Sequence, residues 1–520
     1  MTFMIGVDIG TTSTKAVIYD DEGSIKAVHH VEYPLHTPTA DTAEQDPDEI
    51  FDAVIMAIKQ VVREAGAAKN EVAFVSFSSA MHSLIVMDDN NTPITRSITW
   101  ADNRSHHYAK KINEEYDGLS IYHRTGTPIH PMSPLSKILW LKEEQPEVFK
   151  QAKKFIGIKE FVFYKLFNRY VIDYSLASAT GLFNIHELKF DKDVLKLLDI
   201  DESELSEAVD TTTYYEDMDR KYAEMMGIDV STPFVIGASD GVLSNLGVDA
   251  FKPGEVAVTI GTSGAIRTVI DHPKTDKQGR LFCYALTKDQ WVIGGPVNNG
   301  GIVLRWIRDE FAASETETAK RLGVESYEVL MKIAERVPAG SNGLLFHPYL
   351  AGERAPHWNA DVRGSFFGLT LSHKKEHMIR AALEGVIFNL YSVFIALNVL
   401  MDEPVNSLKA TGGFAKSGLW RQMMADIFEH QLIVPESHES SCLGAIALGQ
   451  VALGLKGDFS HISHMVGASF EHEPTFDHVK IYREILPLYI NLTQSLEENY
   501  AAIAAFQRRH DHLQLEQQEL

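Results

Sequence analysis

Two short glycine–hydroxyl turns stand about half a chain apart, Asp8-Ile9-Gly10-Thr11-Thr12-Ser13 and Thr259-Ile260-Gly261-Thr262-Ser263-Gly264. Each follows a β-branched run, Ile5 to Ile9 and Val256 to Ile260, and leads into another, Ala16 to Ile18 and Ile266 to Ile270. The pattern predicts strand, tight turn, strand, written twice. A glycine lets the backbone come close to an anion, and the amides and hydroxyls after it supply donors without adding charge. Two such turns in one chain predict two related domains that share one phosphate-rich ligand.

At 520 residues the chain exceeds one ordinary core, so two or more domains are expected. Gly, Asp and Pro punctuate residues 247–253, which places the break there and divides the chain into 1–248 and 249–520. With 45% hydrophobic and 23% charged residues, the composition is that of a soluble globular protein. No apolar run is expected to approach the roughly 20 residues of a membrane helix. The first strand begins within a few residues, which leaves no room for a signal peptide. Cys283 and Cys442 are the only cysteines and lie in no metal-ligand spacing, so both are expected to be buried apolar residues in a reduced cytoplasm. The net charge of −23 argues against nucleic acid or an anionic membrane as partner. An anionic substrate would meet a repulsive field, so local cations, a metal and backbone donors would have to bind it.

Strands are predicted at Phe3–Ile9, Lys15–Tyr19, Val28–Tyr33, Val72–Ser78 and Leu84–Met87. Asp46, Pro47, Asp48 and Glu49 form a helix start, and Ile50, Phe51, Val54, Ile55, Ile58, Val61 and Val62 keep helical spacing behind it. Asp88-Asp89-Asn90-Asn91 before Pro93 is turn chemistry. The first half is therefore mixed α/β, with helices packed on a sheet. After Asp249 the pattern resets with the second hairpin. A long helix follows from about Lys374 to Leu400, then a strand Leu408–Thr411, a Gly412-Gly413 turn and a helix Leu419–Glu429. A last helical pattern, about Tyr482 to Phe506, ends in a polar tail read as frayed surface.

The segments IGVDIGTTSTK, GASDG, TIGTSG, LAGERAPHW, GSFFGL and TGGFAKSGLWRQMMAD, in that order, resemble the FGGY carbohydrate kinases over essentially the whole chain. SSAMHS at 78–83, WADNR at 100–104 and RTGTPIHPMSPLSK at 124–137 are similar to the gluconokinase branch of that family. The resemblance implies an α/β fold of two actin-like ATPase, ribonuclease H-like domains with a cleft between them. It implies ATP and Mg²⁺ as cofactors, and D-gluconate as the acceptor, converted to 6-phospho-D-gluconate.

By that resemblance Asp8, before the first turn, holds Mg²⁺, through water because Mg²⁺ keeps much of its hydration shell. Gly10, Thr11, Thr12 and Ser13 then meet phosphoryl oxygens, with Lys15 either a cationic neighbour or a solvated strand residue. Asp240, in Gly237-Ala238-Ser239-Asp240-Gly241 after a strand Pro233–Ile236, is implied as the base that accepts the proton of the sugar hydroxyl. It also touches substrate and metal. The competing role for Asp240 is a helix N-cap. Gly261 and Thr262 face the phosphates from the second half. Gly300 and Gly301 open a helix containing Arg305, whose first amides either donate to the nucleotide or pack against a sheet. Gly412, Gly413 and Ser417 resemble the adenine-side loop of the family, with Phe414 either on the base or in the core.

Met81, His82, Trp100, Asp102, Arg104 and His130 are the implied sugar contacts, with Trp100 a cleft wall or core. Gluconate is an open-chain polyol with one carboxylate, so it needs several hydroxyl partners and a cation or amide. Arg104, Arg124, His82 and His130 are the candidates. Glycerol-accepting relatives carry an Arg-Glu pair where this chain has Met81-His82, which argues against glycerol. Arg354 is a family signature residue whose expected role is to pair with a carboxylate. The long helix from Lys374 is structural, or its polar face forms the subunit contact of a homodimer. Alternatives are a kinase for another sugar acid or a ketopentose such as xylulose, an actin-like chaperone or filament ATPase, and an inactive sugar sensor. The intact Asp8 and Asp240 speak against the last.

Overall fold

The computed structural model describes residues 2–435 and 439–518. The chain forms two compact units. The first contains Met1–Pro253, Thr268–Ile293 and Glu439–Gly467, and the second Gly254–Arg267, Gly294–His438 and Ala468–Leu520. The first crossing, after Pro253, lies in the punctuated segment that sequence singles out. The later crossings carry no comparable sequence signal.

The first unit is built on strands β1 (Phe3–Ile9), β2 (Ser13–Tyr19), β3 (Ile25–Glu32), β4 (Val72–Ser79), β5 (Tyr214–Tyr215) and β6 (Phe234–Ser239), in the order β5-β6-β4-β1-β2-β3. β1 and β2 are antiparallel with Asp8 opposite Lys15, while β4 is parallel to both β1 and β6. Side chains alternate across β1 with the period of an extended strand. Ile5, Val7 and Ile9 join the core under the helix Pro47–Ala65, and Met4 joins the core on the other face. That helix buries every apolar position expected of it, and Asp46 caps it by accepting from the amides of Asp48 and Glu49. Each large apolar side chain removed from water contributes about 1.5–3 kcal/mol.

The opposite face carries two helices, Asp240–Gly247 and Ser440–Ala452, packed backbone to backbone. A Cβ on Gly247 would lie 1.7 Å from the Ser440 carbonyl oxygen, so only glycine permits this approach. The run at Leu84 is strand only over Ile85–Met87, and it pairs with Lys154–Ile156 outside the main sheet. There Leu84 and Val86 join a third core with the helices Pro134–Glu144 and Gly118–Thr125, while Ile85 and Met87 stay in the core under Pro47–Ala65.

In the second unit, β7 (Glu255–Ile260), β8 (Gly264–Ile270), β9 (Trp291–Val297), β10 (Ser407–Thr411), β11 (Leu432–Pro435) and β12 (Ser469–His472) follow the order β9-β8-β7-β10-β11-β12. β8 and β9 carry the chain across the boundary between the units. β7, β10 and β11 are parallel, and β12 closes antiparallel on β11. The first five strands of this order repeat β3-β2-β1-β4-β6 of the first unit. The twin turns thus sit at equivalent hairpins of two sheets of one design.

The helix Lys375–Leu400 corrects one expectation, because by length and composition it is apolar enough to cross a membrane. Most of it is buried, and it holds an Arg380–Glu384 ion pair at 2.9 Å, with Glu384 also accepting from Tyr482. Those contacts are those of a core helix. The terminal pattern is two helices, Phe476–Ser495 and Glu497–Gln518, so the tail is helical as far as Gln518. Both cysteines are buried and unpaired.

Candidate active site

The first turn is held from behind. Gly10 N–H donates to the Ser13 carbonyl at 3.0 Å, and the Tyr33 hydroxyl donates to the Gly10 carbonyl at 2.6 Å. Gln45 donates to the Thr11 carbonyl at 2.5 Å, and Trp100 Nε1 to Thr11 Oγ1 at 2.8 Å. With its carbonyls answered this way, the turn presents Thr12 exposed and Ser13 half-buried, and Thr11 keeps its own O–H to donate. Asp8, at the end of β1, accepts from Ser78 Oγ at 2.7 Å and from Ser441 Oγ at 3.0 Å, one hydroxyl per oxygen. Lys15 pairs with Glu439 at 2.8 Å. Burial opposes its charge, but the Glu439 carboxylate outweighs burial and raises its pKa.

The strand before Asp240 runs further than the expected Pro233–Ile236. Gly237, Ala238 and Ser239 complete β6, and Asp240 is the first residue of the helix Asp240–Gly247. A bulge between Val235 and Ala238 shifts the register, with Gly237 at φ +70° and its missing Cβ only 1.7 Å from the Phe77 carbonyl oxygen. Bulges re-aim the end of a strand, and here that end carries Asp240. The N-cap is Ser239, whose Oγ accepts from Val242 N–H at 3.4 Å, while Asp240 Oδ1 accepts from Gly241 N–H at 2.6 Å in the first turn. Below it a buried ion pair, Lys159–Asp173 at 2.7 Å, fixes the strand end through the Ala238 carbonyl.

The implied sugar residues gather in the same unit. His82 has φ +70° and its Nδ1 lies 2.8 Å from the Ala179 carbonyl. A non-glycine residue held there costs of order 1–3 kcal/mol and marks a position the surroundings over-determine. Met81 is half-buried and Trp100 reaches back to the first turn. Asp102 differs from expectation: it is 1% exposed, accepting from Ala43 N–H and pairing with Arg104 at 2.8 Å. Both of its oxygens are turned inward to protein partners, and it orients Arg104. Arg104 also pairs with Glu44 and lies over the Trp140 ring. Arg124 pairs with Asp191. His130 anchors its own turn, with Nδ1 accepting from Met132 N–H and its carbonyl from Ser133 and Ser136.

In the second unit, Gly261 and Thr262 are exposed at the end of β7. Gly412 touches the same strand end, its missing Cβ 2.3 Å from the Ile260 carbonyl oxygen, and Gly413 beside it opens to empty space. The amides of Gly300 and Ile302 donate to the Thr262 carbonyl and that of Gly301 to the Gly261 carbonyl. These donors hold the second turn from behind. Arg305 is exposed on the same helix, Gly301–Trp306. Phe414 is buried edge-on against Trp420, which makes it core, and Ser417 caps the helix Gly418–Phe428.

Residues 3–247 match the N-terminal domain and 256–453 the C-terminal domain of the FGGY family of carbohydrate kinases. The chain belongs to this family. It is 60% identical to a gluconokinase of Bacillus subtilis over 98% of each chain. Among solved structures it is similar to a gluconate kinase of Lactobacillus acidophilus, with a TM-score of 0.92 and 39% identity over 96% of this chain and 99% of that one. A ligand-bound xylulose kinase from the same organism matches equally well, at 0.92 and 39% over 97% and 100%.

Several working parts of this FGGY kinase escape sequence reasoning. Ser441 and Glu439 reach Asp8 and Lys15 from the far end of the chain. Glu353, rather than its neighbour Arg354, is the node of the GERAP segment. Buried at 2% exposure, it accepts from Asn298 and Arg354 amides and from the Asn299 and Asn389 side chains, fixing the strand end just before Gly300. Burial raises its pKa, against the pull of those donors. Arg354 donates to the Asn298 side chain at 2.7 Å. The signal available in sequence was the adjacent charged pair Glu353-Arg354 inside a largely apolar motif.

Proposed function

We propose that this chain is a gluconokinase, transferring the γ-phosphoryl group of ATP to the 6-hydroxyl of D-gluconate to give ADP and 6-phospho-D-gluconate. The observation that carries the reading is the 60% identity to a gluconokinase over 98% of both chains. The two structural relatives are equally similar and bear different sugar names, so they do not choose between the sugars.

In this reading Asp240 accepts the proton of the attacking hydroxyl, aimed by the bulge at Gly237. Thr11, Thr12 and Ser13, with Gly261 and Thr262, donate to phosphoryl oxygens. Met81, His82, Trp100, Arg104 and His130 orient the sugar acid. Asp8 and Asp240 are suited to Mg²⁺, since Asp8 is held by two neutral hydroxyls while the nearby Lys15 is matched to Glu439. The ion would supply charge neutralisation for the transferring group. A reduced cytoplasm suits the two buried, unpaired thiols.

A coupled ADP-release assay with Mg·ATP and a panel of gluconate, xylulose and glycerol tests the reading. The expected result is a kcat/KM for gluconate about 10-fold or more above the others. Turnover that favours xylulose would replace gluconate with the ketopentose.

A further inference from the structure

Lys137 lies in the helix Pro134–Glu144 of the first unit, yet its side chain is fully buried. Its Nζ donates to three backbone carbonyls, those of His82 at 2.6 Å, Thr99 at 2.7 Å and Met132 at 2.9 Å, with the Ile98 carbonyl further off at 3.4 Å. An ammonium has three N–H donors, and three short bonds use them all. The carbonyls belong to three separate segments. His82 is the left-handed residue of 78–83, Thr99 precedes Trp100, and Met132 follows His130. These are the three segments assigned to the sugar acid, and no other buried cation among the described residues ties them together.

We propose that Lys137 is the positioning residue of the sugar-acid pocket, pinning the three substrate segments through their backbones without touching the substrate. This inference rests on the assignment of those segments to the acceptor sugar. A neutral amine has two N–H groups and a lone pair, so one of the three carbonyls would then face a lone pair. The charged form is therefore the one that holds all three segments. Burial pulls its pKa down to about 7, with Asp102 supporting the charge and Arg104 opposing it. Both belong to the segment after Thr99. The other titratable groups around the site are His82, whose ring is turned to the Ala179 carbonyl, and His130, whose Nδ1 accepts from Met132 N–H. Because the folded pKa is lowered, the third tie is present below about pH 7 and is lost as pH rises through it.

The test uses the full chain, with Lys137→Met and Lys137→Arg compared to wild type. KM for the sugar, KM for ATP, kcat and Tm are measured from pH 6 to 9. In wild type the sugar KM is expected to rise across pH 7 to 8 while the ATP KM stays flat. Lys137→Met is expected to raise the sugar KM about 10- to 100-fold, leave the ATP KM unchanged and abolish the pH dependence. Lys137→Arg keeps the charge and is expected to lie between the two. Equal rises in both KM values, or a wild-type sugar KM that is flat over the whole range, overturns the proposal. If Lys137→Met does not fold, the wild-type profile and Lys137→Arg decide alone. Should another sugar of the panel prove to be the acceptor, the same split is read with that sugar, so loss of the gluconate assignment stays separate from loss of this inference.

Discussion

Asp240 owes its place to a position with no side chain. A methyl group on Gly237 would collide with the Phe77 carbonyl oxygen, and at φ +70° it would also be strained. Gly237→Ala is therefore expected to lower stability by about 1–3 kcal/mol, read as a fall in Tm, and to cost activity beyond that by turning Asp240 away. Asp240→Asn keeps the shape and removes the base. Its kcat should drop about 10²- to 10⁴-fold with nucleotide affinity preserved, measured by ADP release beside equilibrium binding. Unchanged kcat would remove Asp240 from the chemistry. Asp240 stands out in sequence as a carboxylate among glycines and small residues, and its assignment as the base comes from the family resemblance. For Asp102 the motif shows which residues recur together, but not which way the carboxylate turns.

Among the elements, the helix Ser440–Ala452 links the surroundings of Asp240 to those of Asp8. It packs on the helix that begins with Asp240, and its own first turn brings Ser441 to Asp8. Ser441→Ala leaves one Asp8 oxygen without its hydroxyl and is expected to cost about 10- to 100-fold in activity, with a higher Mg²⁺ requirement in a titration at fixed ATP. Insensitivity to this substitution would make the contact incidental. The strands, the capped helix at Pro47 and the long helix at Lys375 were all legible, since each depends on local periodicity. The Ser441 and Glu439 contacts were not, because no local signal links residues at opposite ends of a chain. A lysine in a helix likewise reads as a solvated residue, and only tertiary packing reveals Lys137 as buried.

At the scale of the whole molecule, the charge of −23 opposes an anionic sugar and an anionic nucleotide alike. Raising ionic strength from about 0.01 to 0.15 M shortens the screening length from roughly 30 to 8 Å, so kcat/KM should rise with salt at fixed Mg²⁺. A fall would mean that local cations dominate encounter. Acid should unfold the protein through its second unit. Burial brings His347 and His357 each down to about 4. Both stay neutral in the fold while the unfolded chain protonates near 6.5, so each lowers stability by about 1.4 kcal/mol per pH unit between those values. Tm should fall steeply from pH 6.5 toward 4.

Asp8 and the hydroxyl that steadies it are 433 residues apart. During synthesis at roughly 5–20 residues per second, Asp8 emerges about 20–90 s before Ser441 exists. Once Phe234–Ser239 has been made and until Ser441 follows, the nascent first unit has its sheet strands but lacks the helix that covers one face and steadies Asp8. A ribosome-bound chain stopped before residue 439 should consequently be a chaperone client and not a working half-enzyme. Co-expressing the missing segment would be needed to recover a folded site.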